Sequence, residues 1–386
     1  MIPRTCNLSK DHSFFLFGPR GTGKSTYLEY WLKDQSVMSV DLLDPILFHR
    51  YSLHPELLIA DWQAQNTAWI FIDEIQKIPT LLDVIQRQMR IGNVLFALTG
   101  SSARKLRRGA SNLLGGRCFE FHMHPFTHIE LLNSERGFDL HSVLSWGSLP
   151  HLINAPASHR VNALYSYITT YLKEEILIEQ IIRKIEPFQK FLEIAAQMNG
   201  KIINYAKISR DTGVEEKSIA RYFQILDDTL IGFHLYPYHK SIRKQQSQKA
   251  KFYFFDTGVT RALQNLVSVE LHPQTKSYGD LFEQFIILEF FRLNDYLEKH
   301  FKFYYFTSKD RVEIDLIVER PGLPDVLIEI KSKDYFDIDD SKNLLNIGSS
   351  FQDKEMYVFS NCKVASTLNN VQYLHWQEGM KKIFQL

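Results

Sequence analysis

SFFLFGPRGTGKSTYLEYWL, residues 13–32, is the stretch on which the fold turns. Ser13–Phe17 is an apolar run that reads as a buried strand, and Gly18 ends it. Gly18–Ser25 then satisfies G-x-x-x-x-G-K-[ST], with a helical stretch after it, the setting a phosphate-binding loop requires. Glycines let the loop curl so that backbone N–H groups from about Gly21 to Ser25 face a phosphate chain. The positive end of the helix starting near Lys24 adds to that attraction. Gly18, Gly21, Thr22, Gly23, Lys24, Ser25 and Thr26 are therefore the expected nucleotide-binding set. Lys24 is placed to reach the outer phosphates as a point charge, and Ser25 to hold Mg²⁺ through its hydroxyl.

Working outward, Val37–Leu42, Trp69–Ile72, Val94–Leu98 and Cys118–Phe121 are short apolar runs separated by helical segments. That alternation predicts an α/β domain with a parallel sheet covered on both faces. WIFIDE, residues 69–74, delivers Asp73 to the Mg²⁺ shell from a strand end and sets Glu74 beside it to polarise the attacking water. The next strand ends in Thr99-Gly100-Ser101-Ser102, where a hydroxyl would sit level with that water; a plain turn reads nearly as well. Arg104, Lys105, Arg107, Arg108 and Arg117 follow. Phosphoryl transfer calls for an arginine, in cis or from a neighbour. Arg117 is the first candidate and Arg104 the second, against an ordinary surface role. An arginine given in trans would demand a homo-oligomer.

GPRGTGKST, WIFIDEIQKIP and LTGSSARKL together resemble the AAA+ ATPases of the archaeal-ATPase-like branch. The resemblance implies Walker A at Gly18–Thr26, Walker B at Asp73 and Glu74, a sensor at Thr99 or Ser101, and ATP with Mg²⁺ as cofactors. It covers about the first 130 residues and gives Arg20 no role.

Beyond Pro125 the sequence is less regular. Trp146–Pro156 reads as a loop-rich connector and Arg160–Ile182 as a long bridging helix. Phe188–Met198, Tyr205–Thr212 and Glu216–Leu230 have helical period, and a polar segment carrying Lys240, Arg243, Lys244, Lys249 and Lys251 leads to the strand-like Phe252–Phe255. Three helices and a polar hairpin make a winged-helix outline. Ile219, Tyr222, Phe223 and Leu226 face inward on its last helix, with Ser218 and Arg221 outward. Glu215, Glu216, Asp227 and Asp228 would repel DNA phosphates there, so backbone contact falls to the basic hairpin; partner docking is the alternative.

In the last third, VEIDLIVE (312–319) and VLIEIK (326–331) flank a turn. A hairpin centred on Gly322 would set Asp315 opposite Glu329, and alternation puts Glu329 and Lys331 on one face. Two carboxylates and a lysine suit metal-assisted phosphodiester hydrolysis. Glu283, on the nearly all-apolar helix Gly279–Leu293, is expected to be buried and to join them. The D…E-x-K arrangement is similar to the PD-(D/E)XK nuclease fold. With FDTGV before it, GDLFEQFIILEF looks like the C-terminal part commonly fused to these ATPases. The resemblance implies metal held by Glu283, Asp315 and Glu329, with Lys331 positioning water. A salt-bridged strand pair is the alternative.

The chain has 386 residues, 45% hydrophobic and 23% charged, which excludes disorder as its main state. Lys and Arg total 45 against 44 Asp and Glu, so a nucleic-acid partner must be met by a local patch. Cys6, Cys118 and Cys362 are far apart and form no CxxC pair, which argues against a disulfide framework or a zinc site. No apolar run approaches about 18 residues, so a cytoplasmic protein off the membrane is expected. The expected layout is an ATPase domain over 1–130, a helical connector over 131–184, a winged helix over 185–258 and a restriction-endonuclease-like α/β domain over 259–386. The expected function is a Mg²⁺-dependent ATPase acting on nucleic acid, DNA in the first place, with metal-dependent cleavage open for the last domain. A non-cleaving nucleotide switch that recruits a protein partner is the alternative.

Overall fold

The computed structural model describes residues 2–102, 116–171, 185–239, 249–308 and 312–386. The first sheet contains β1 (Phe14–Phe17), β2 (Val37–Asp41), β3 (Trp69–Asp73), β4 (Leu95–Gly100) and β5 (Phe119–His122), in the order β2-β3-β4-β1-β5. Every pairing in it is parallel. Helices α1 (Lys24–Leu32), α2 (Pro45–Leu53), α3 (Leu57–Gln65) and α4 (Leu81–Ile91) make the crossovers. Strand alternation divides the interior. Phe15, Phe17, Ile70, Ile72, Phe96 and Leu98 face one core, while Phe14, Leu16, Trp69, Phe71 and Ala97 face another with Leu28 and Leu32. From β1 the chain crosses to the far edge and returns through β3 and β4, which opens a crevice at the carboxyl ends of these central strands.

Next come α5 (His128–Leu132), α6 (Leu140–Trp146), α7 (Pro150–Asn154) and α8 (Ala157–Ser166). Thr127 and Glu130 close a capping box on α5. The expected loop over Trp146–Pro156 thus contains a short helix, begun by Pro150 at its first position. The expected helix over Arg160–Ile182 runs as α only to Ser166, then widens into a π turn at Tyr167–Tyr171, beyond which it leaves the described residues.

Helices α9 (Ile185–Gln197), α10 (Tyr205–Thr212) and α11 (Glu216–Asp228) lie where their periods predict. The hairpin is β6 (Gly232–Pro237) with β7 (Lys251–Phe254). It is not a free wing. β6 also pairs, in parallel, with β8 (Lys302–Thr307), through Tyr236 with Tyr304 and Pro237 with Tyr305. It thereby becomes the edge of an eight-stranded sheet that continues through β9 (Glu313–Glu319), β10 (Asp325–Ile330), β11 (Lys354–Ser360), β13 (Val371–His375) and β12 (Ser366–Leu368). Periodicity shows that a segment is a strand; it carries no information about a partner about 70 residues away. Around this sheet lie α12 (Thr257–Leu263), α13 (Lys276–Tyr296), α14 (Lys342–Gly348) and α15 (Trp376–Phe384). Helix α13 is buried on nearly every side, as its apolar circumference requires. Among the described residues no helix is long and apolar enough to cross a membrane. Cys6, Cys118 and Cys362 are free and buried.

Candidate active site

The loop between β1 and α1 is shaped by its glycines. Gly21 and Gly23 hold φ of 82° and 89°, left-handed values that favour glycine. At Gly18 a Cβ would stand 2.2 Å from the Met123 carbonyl oxygen, so the strand end can pass β5 only without a side chain. Gly18 N–H donates to Gly100 O (3.2 Å), and Thr22 Oγ1 donates to Pro19 O (2.8 Å), closing the loop on itself. Lys24 Nζ, almost wholly buried, donates to Gly18 O (2.7 Å) and Pro19 O (3.2 Å).

Strand β3 brings Asp73 to this loop. Ser25 Oγ donates to Asp73 Oδ2 at 2.7 Å, and Thr99 Oγ1, from β4, donates to Asp73 Oδ1. Thr99 Oγ1 also accepts from Glu74 N–H (3.0 Å), so one hydroxyl fixes both acids of the strand end. Glu74 adopts φ 58°, the left-handed region, where the chain turns off β3. Its Oε2 accepts from Gln76 Nε2 and, at 3.4 Å, from Ser101 Oγ. Gln76 Nε2 donates as well to Ser101 Oγ (2.9 Å), while buried Gln76 Oε1 has no hydrogen-bond partner among the described residues. Sequence reading passed over Gln76; a polar residue in IDEIQK that ends up buried was its one signal. A cleft of about 600 Å³ opens beside the loop, lined by Arg4, Thr22, Gly23, Thr26, Tyr27 and Phe126.

This donor set fits a nucleotide and Mg²⁺. The hydroxyl and carboxylate at 2.7 Å supply hard oxygens of the kind Mg²⁺ takes alongside phosphates and water. Left-handed Gly21 and Gly23 let successive amides converge on one point.

Arg117 is elsewhere. Phe119 pairs with Phe14, and Phe119 N–H donates to Ser13 O, so Arg117 lies exposed at the amino ends of the strands. A strand of four residues, roughly 13 Å, separates it from the loop. It cannot serve as the arginine of its own site, because parallel register fixes which end of β5 each residue occupies. Arg104, with Lys105, Arg107 and Arg108, lies outside the described residues.

The apex of the loop is covered from the middle of the chain. Tyr167 Oη, on the π turn, donates to Arg20 O at 2.9 Å. The Tyr167 and His151 rings stack (centroids 6.1 Å, 18°) beside Gly21, where a Cβ would stand 3.5 Å from the Tyr167 ring, and one on Gly23 would stand 3.7 Å from Pro150. Tyr167 also meets Phe255, the first residue of FDTGV. There Asp256 accepts from Ser148 N–H (2.8 Å) and caps α12 through Val259 N–H (3.1 Å). Gly147 and Gly258 let the segments close: a Cβ on Gly147 would stand 1.9 Å from Asp256 Oδ1. Arg292 of α13 donates to Phe255 O (2.9 Å), Ser148 Oγ (3.1 Å) and Glu289 (3.2 Å), and Glu289 holds His128.

The C-terminal acids form a second cluster. The β9–β10 register pairs Leu316 with Ile328 and Ile317 with Leu327, so continuing it sets Asp315 against Glu329, as the spacing about Gly322 predicts. Asp315 Oδ2 accepts from Ile330 N–H (2.7 Å). Lys331 Nζ lies 2.6 Å from Glu329 and 3.9 Å from Asp315. Burial, then Glu283, pushes Asp315 above the usual carboxylate range; burial, then Asp315, does the same to Glu329. Glu329 Oε2 is buried without a partner among the described residues.

Glu283 turns elsewhere. It accepts from Tyr253 Oη (2.7 Å) and Lys251 Nζ (3.2 Å), and Lys251 also binds Glu313 at 2.5 Å. Lys251, expected among the basic residues facing DNA, is instead 3% exposed. Its strand alternation points it inward, and the acids satisfy its charge. Among the described residues no three His, Cys, Asp or Glu side chains gather where they could hold a metal ion. The expected metal set of Glu283, Asp315 and Glu329 is therefore not gathered on one point: Lys251 holds Glu283 Oε1, Lys331 holds Glu329 Oε1, and Asp315 Oδ2 is taken by Ile330 N–H. Of the remaining hairpin cations Lys249 is exposed, and Lys240, Arg243 and Lys244 lie outside the described residues.

Comparison with known proteins divides along the same lines. Residues 10–132 match the AAA domain family. The N-terminal region carries an AAA-type domain. This supports ATP binding and hydrolysis there, and the family implies Mg²⁺ with the nucleotide. Residues 137–270 match a domain of unknown function (DUF8612), and 278–378 match another (DUF4143). An uncharacterized protein of Mycobacterium tuberculosis is 26% identical over 315 residues, spanning 80% of this chain and 68% of its own. An uncharacterized protein of Mycobacterium bovis matches to the same extent.

Proposed function

We propose that this chain is a Mg²⁺-dependent ATPase whose AAA-type domain drives its remaining parts on nucleic acid. The observation that carries the reading is the Ser25–Asp73–Thr99 contact at the loop mouth, with Glu74 on the next residue. Ser25 and Asp73 would hold Mg²⁺, which supplies neutralising charge to the outer phosphates when bound. Lys24 would leave the carbonyls of Gly18 and Pro19 for phosphate oxygen, a stronger charge-assisted acceptor. Glu74, steadied by Gln76 and Ser101, would accept hydrogen from the attacking water. The cleft beside Thr26 and Tyr27 would take the nucleoside. Tyr167 on Arg20 supports communication between the loop and the rest of the chain.

Nucleic acid as the target is supported by the three helices α9–α11 with the β6–β7 hairpin, the outline of a winged helix. The α13–β9–β10 arrangement supports a nuclease-like scaffold. Buried Lys251 removes one cation from the hairpin and favours the second reading, a nucleotide switch that recruits a protein partner. Lys24→Ala is expected to abolish ATP turnover by purified protein; turnover at the wild-type rate would overturn the assignment. Filter binding to duplex DNA across salt separates the readings. A steep loss of affinity as salt rises supports the first, and no measurable affinity supports the second.

A further inference from the structure

We infer that Lys251 is an internal cation standing in for a metal at the C-terminal acid cluster, and that it keeps this nuclease-like domain from cleaving. Metal-assisted phosphodiester hydrolysis needs acids that share one ion. Here the acids are divided between two lysines. Lys331 takes Glu329 and lies near Asp315, whereas Lys251, with Tyr253 Oη, holds Glu283 and also binds Glu313.

The arrangement is built into the fold. Lys251 opens β7, the edge strand of the large sheet, and its ammonium also lies 5.4 Å from the Tyr305 ring centre. Ile203 N–H donates to Ala250 O and Gly200 N–H to Phe252 O, so the backbone on either side of Lys251 is pinned to the helical region. A free ion can leave, and a side chain on a pinned strand cannot. Burying a lysine this deeply is costly unless it is paired, and its two carboxylate partners account for its position.

The test uses the full chain carrying Asp73→Ala, which silences the N-terminal metal site, and titrates Mn²⁺ with detection by paramagnetic resonance. With Lys251 intact, no saturable Mn²⁺ site is expected. Adding Lys251→Met, which keeps the apolar stem and deletes the charge, leaves Glu283 and Glu313 without this cation. A saturable Mn²⁺ site is then expected to appear, and Mn²⁺ to raise the melting temperature of that variant alone. The inference is overturned if the Lys251-intact chain binds one Mn²⁺ and loses it on Asp315→Asn. That outcome can be read without Lys251→Met, should that variant fail to fold. Mn²⁺-dependent cleavage of DNA by the Lys251-intact chain, abolished by Asp315→Asn, would also overturn it. ATP turnover plays no part in either readout, so failure of the ATPase reading would leave this inference standing.

Discussion

At the strand end Glu74 and Asp73 are adjacent acids held for different work. Asp73 is enclosed by two hydroxyls, those of Ser25 and Thr99, and has little freedom to move. Glu74 is held by an amide and a longer hydroxyl contact, partners that a reacting water can replace. Separate roles therefore lead to separate mutational signatures. Glu74→Gln keeps the shape and removes the proposed base, so kcat should fall by about 100-fold or more with nucleotide affinity retained. Equilibrium binding of a fluorescent ATP analogue beside steady-state turnover measures the two quantities. Asp73 and Glu74 were legible as a pair from WIFIDE alone. Gln76 was not, because its importance lies in being folded back toward Ser101, a residue 25 positions further along the chain.

Helix α12 and the segment before it join elements that the sequence shows only as separate pieces. Asp256 is fully buried, caps α12 and accepts from Ser148, so one carboxylate fixes both a helix start and the approach of the α6–α7 turn. Removing it leaves two buried N–H groups without acceptors. Asp256→Ala should cost about 2–4 kcal/mol, combining a lost cap with an unsatisfied donor. Urea unfolding followed by circular dichroism gives that difference from the shift in midpoint. FDTGV stands out in the sequence as a motif without a role. Its role is that of a joint, and it became readable only when Gly147, Gly258 and Arg292 were seen to close on it. The hairpin of β6 and β7 follows the same pattern: a polar hairpin ending in the strand-like Phe252–Phe255 was evident, but neither β6 at Gly232–Pro237 nor its attachment to β8 was.

On the scale of the molecule, the phosphate loop and the acid cluster are linked by continuous contacts. Arg20 O receives Tyr167, Tyr167 packs on Phe255, and Phe255 O receives Arg292 of α13, the helix that also carries Glu283. A π turn at Tyr167–Tyr171 lies where the path leaves the loop; such turns recur at functional sites. Tyr167→Phe keeps the ring and removes the hydrogen bond to the loop, a loss of about 1 kcal/mol. ATP should still bind within about fivefold of the wild-type affinity, since that energy corresponds to a factor of about five. The change in hydrogen exchange that ATP causes over α12 and α13 should shrink. Mass-spectrometric exchange with and without nucleotide measures it, and an undiminished response would show that the contact transmits nothing.

The sequence alone determined the parallel sheet, the phosphate loop, the acids at the end of β3 and the register that faces Asp315 with Glu329. Each is set locally, by apolar period, by glycines at fixed spacing, or by symmetry about one turn. Tertiary structure decided where Arg117, Lys251 and Glu283 stand. A charged side chain's role depends on which charge reaches it, and those partners come from strands and helices distant in the chain. Buried charge must be paired, so Lys251 went to the acids inside and not to the surface where its neighbours in sequence suggested it belonged.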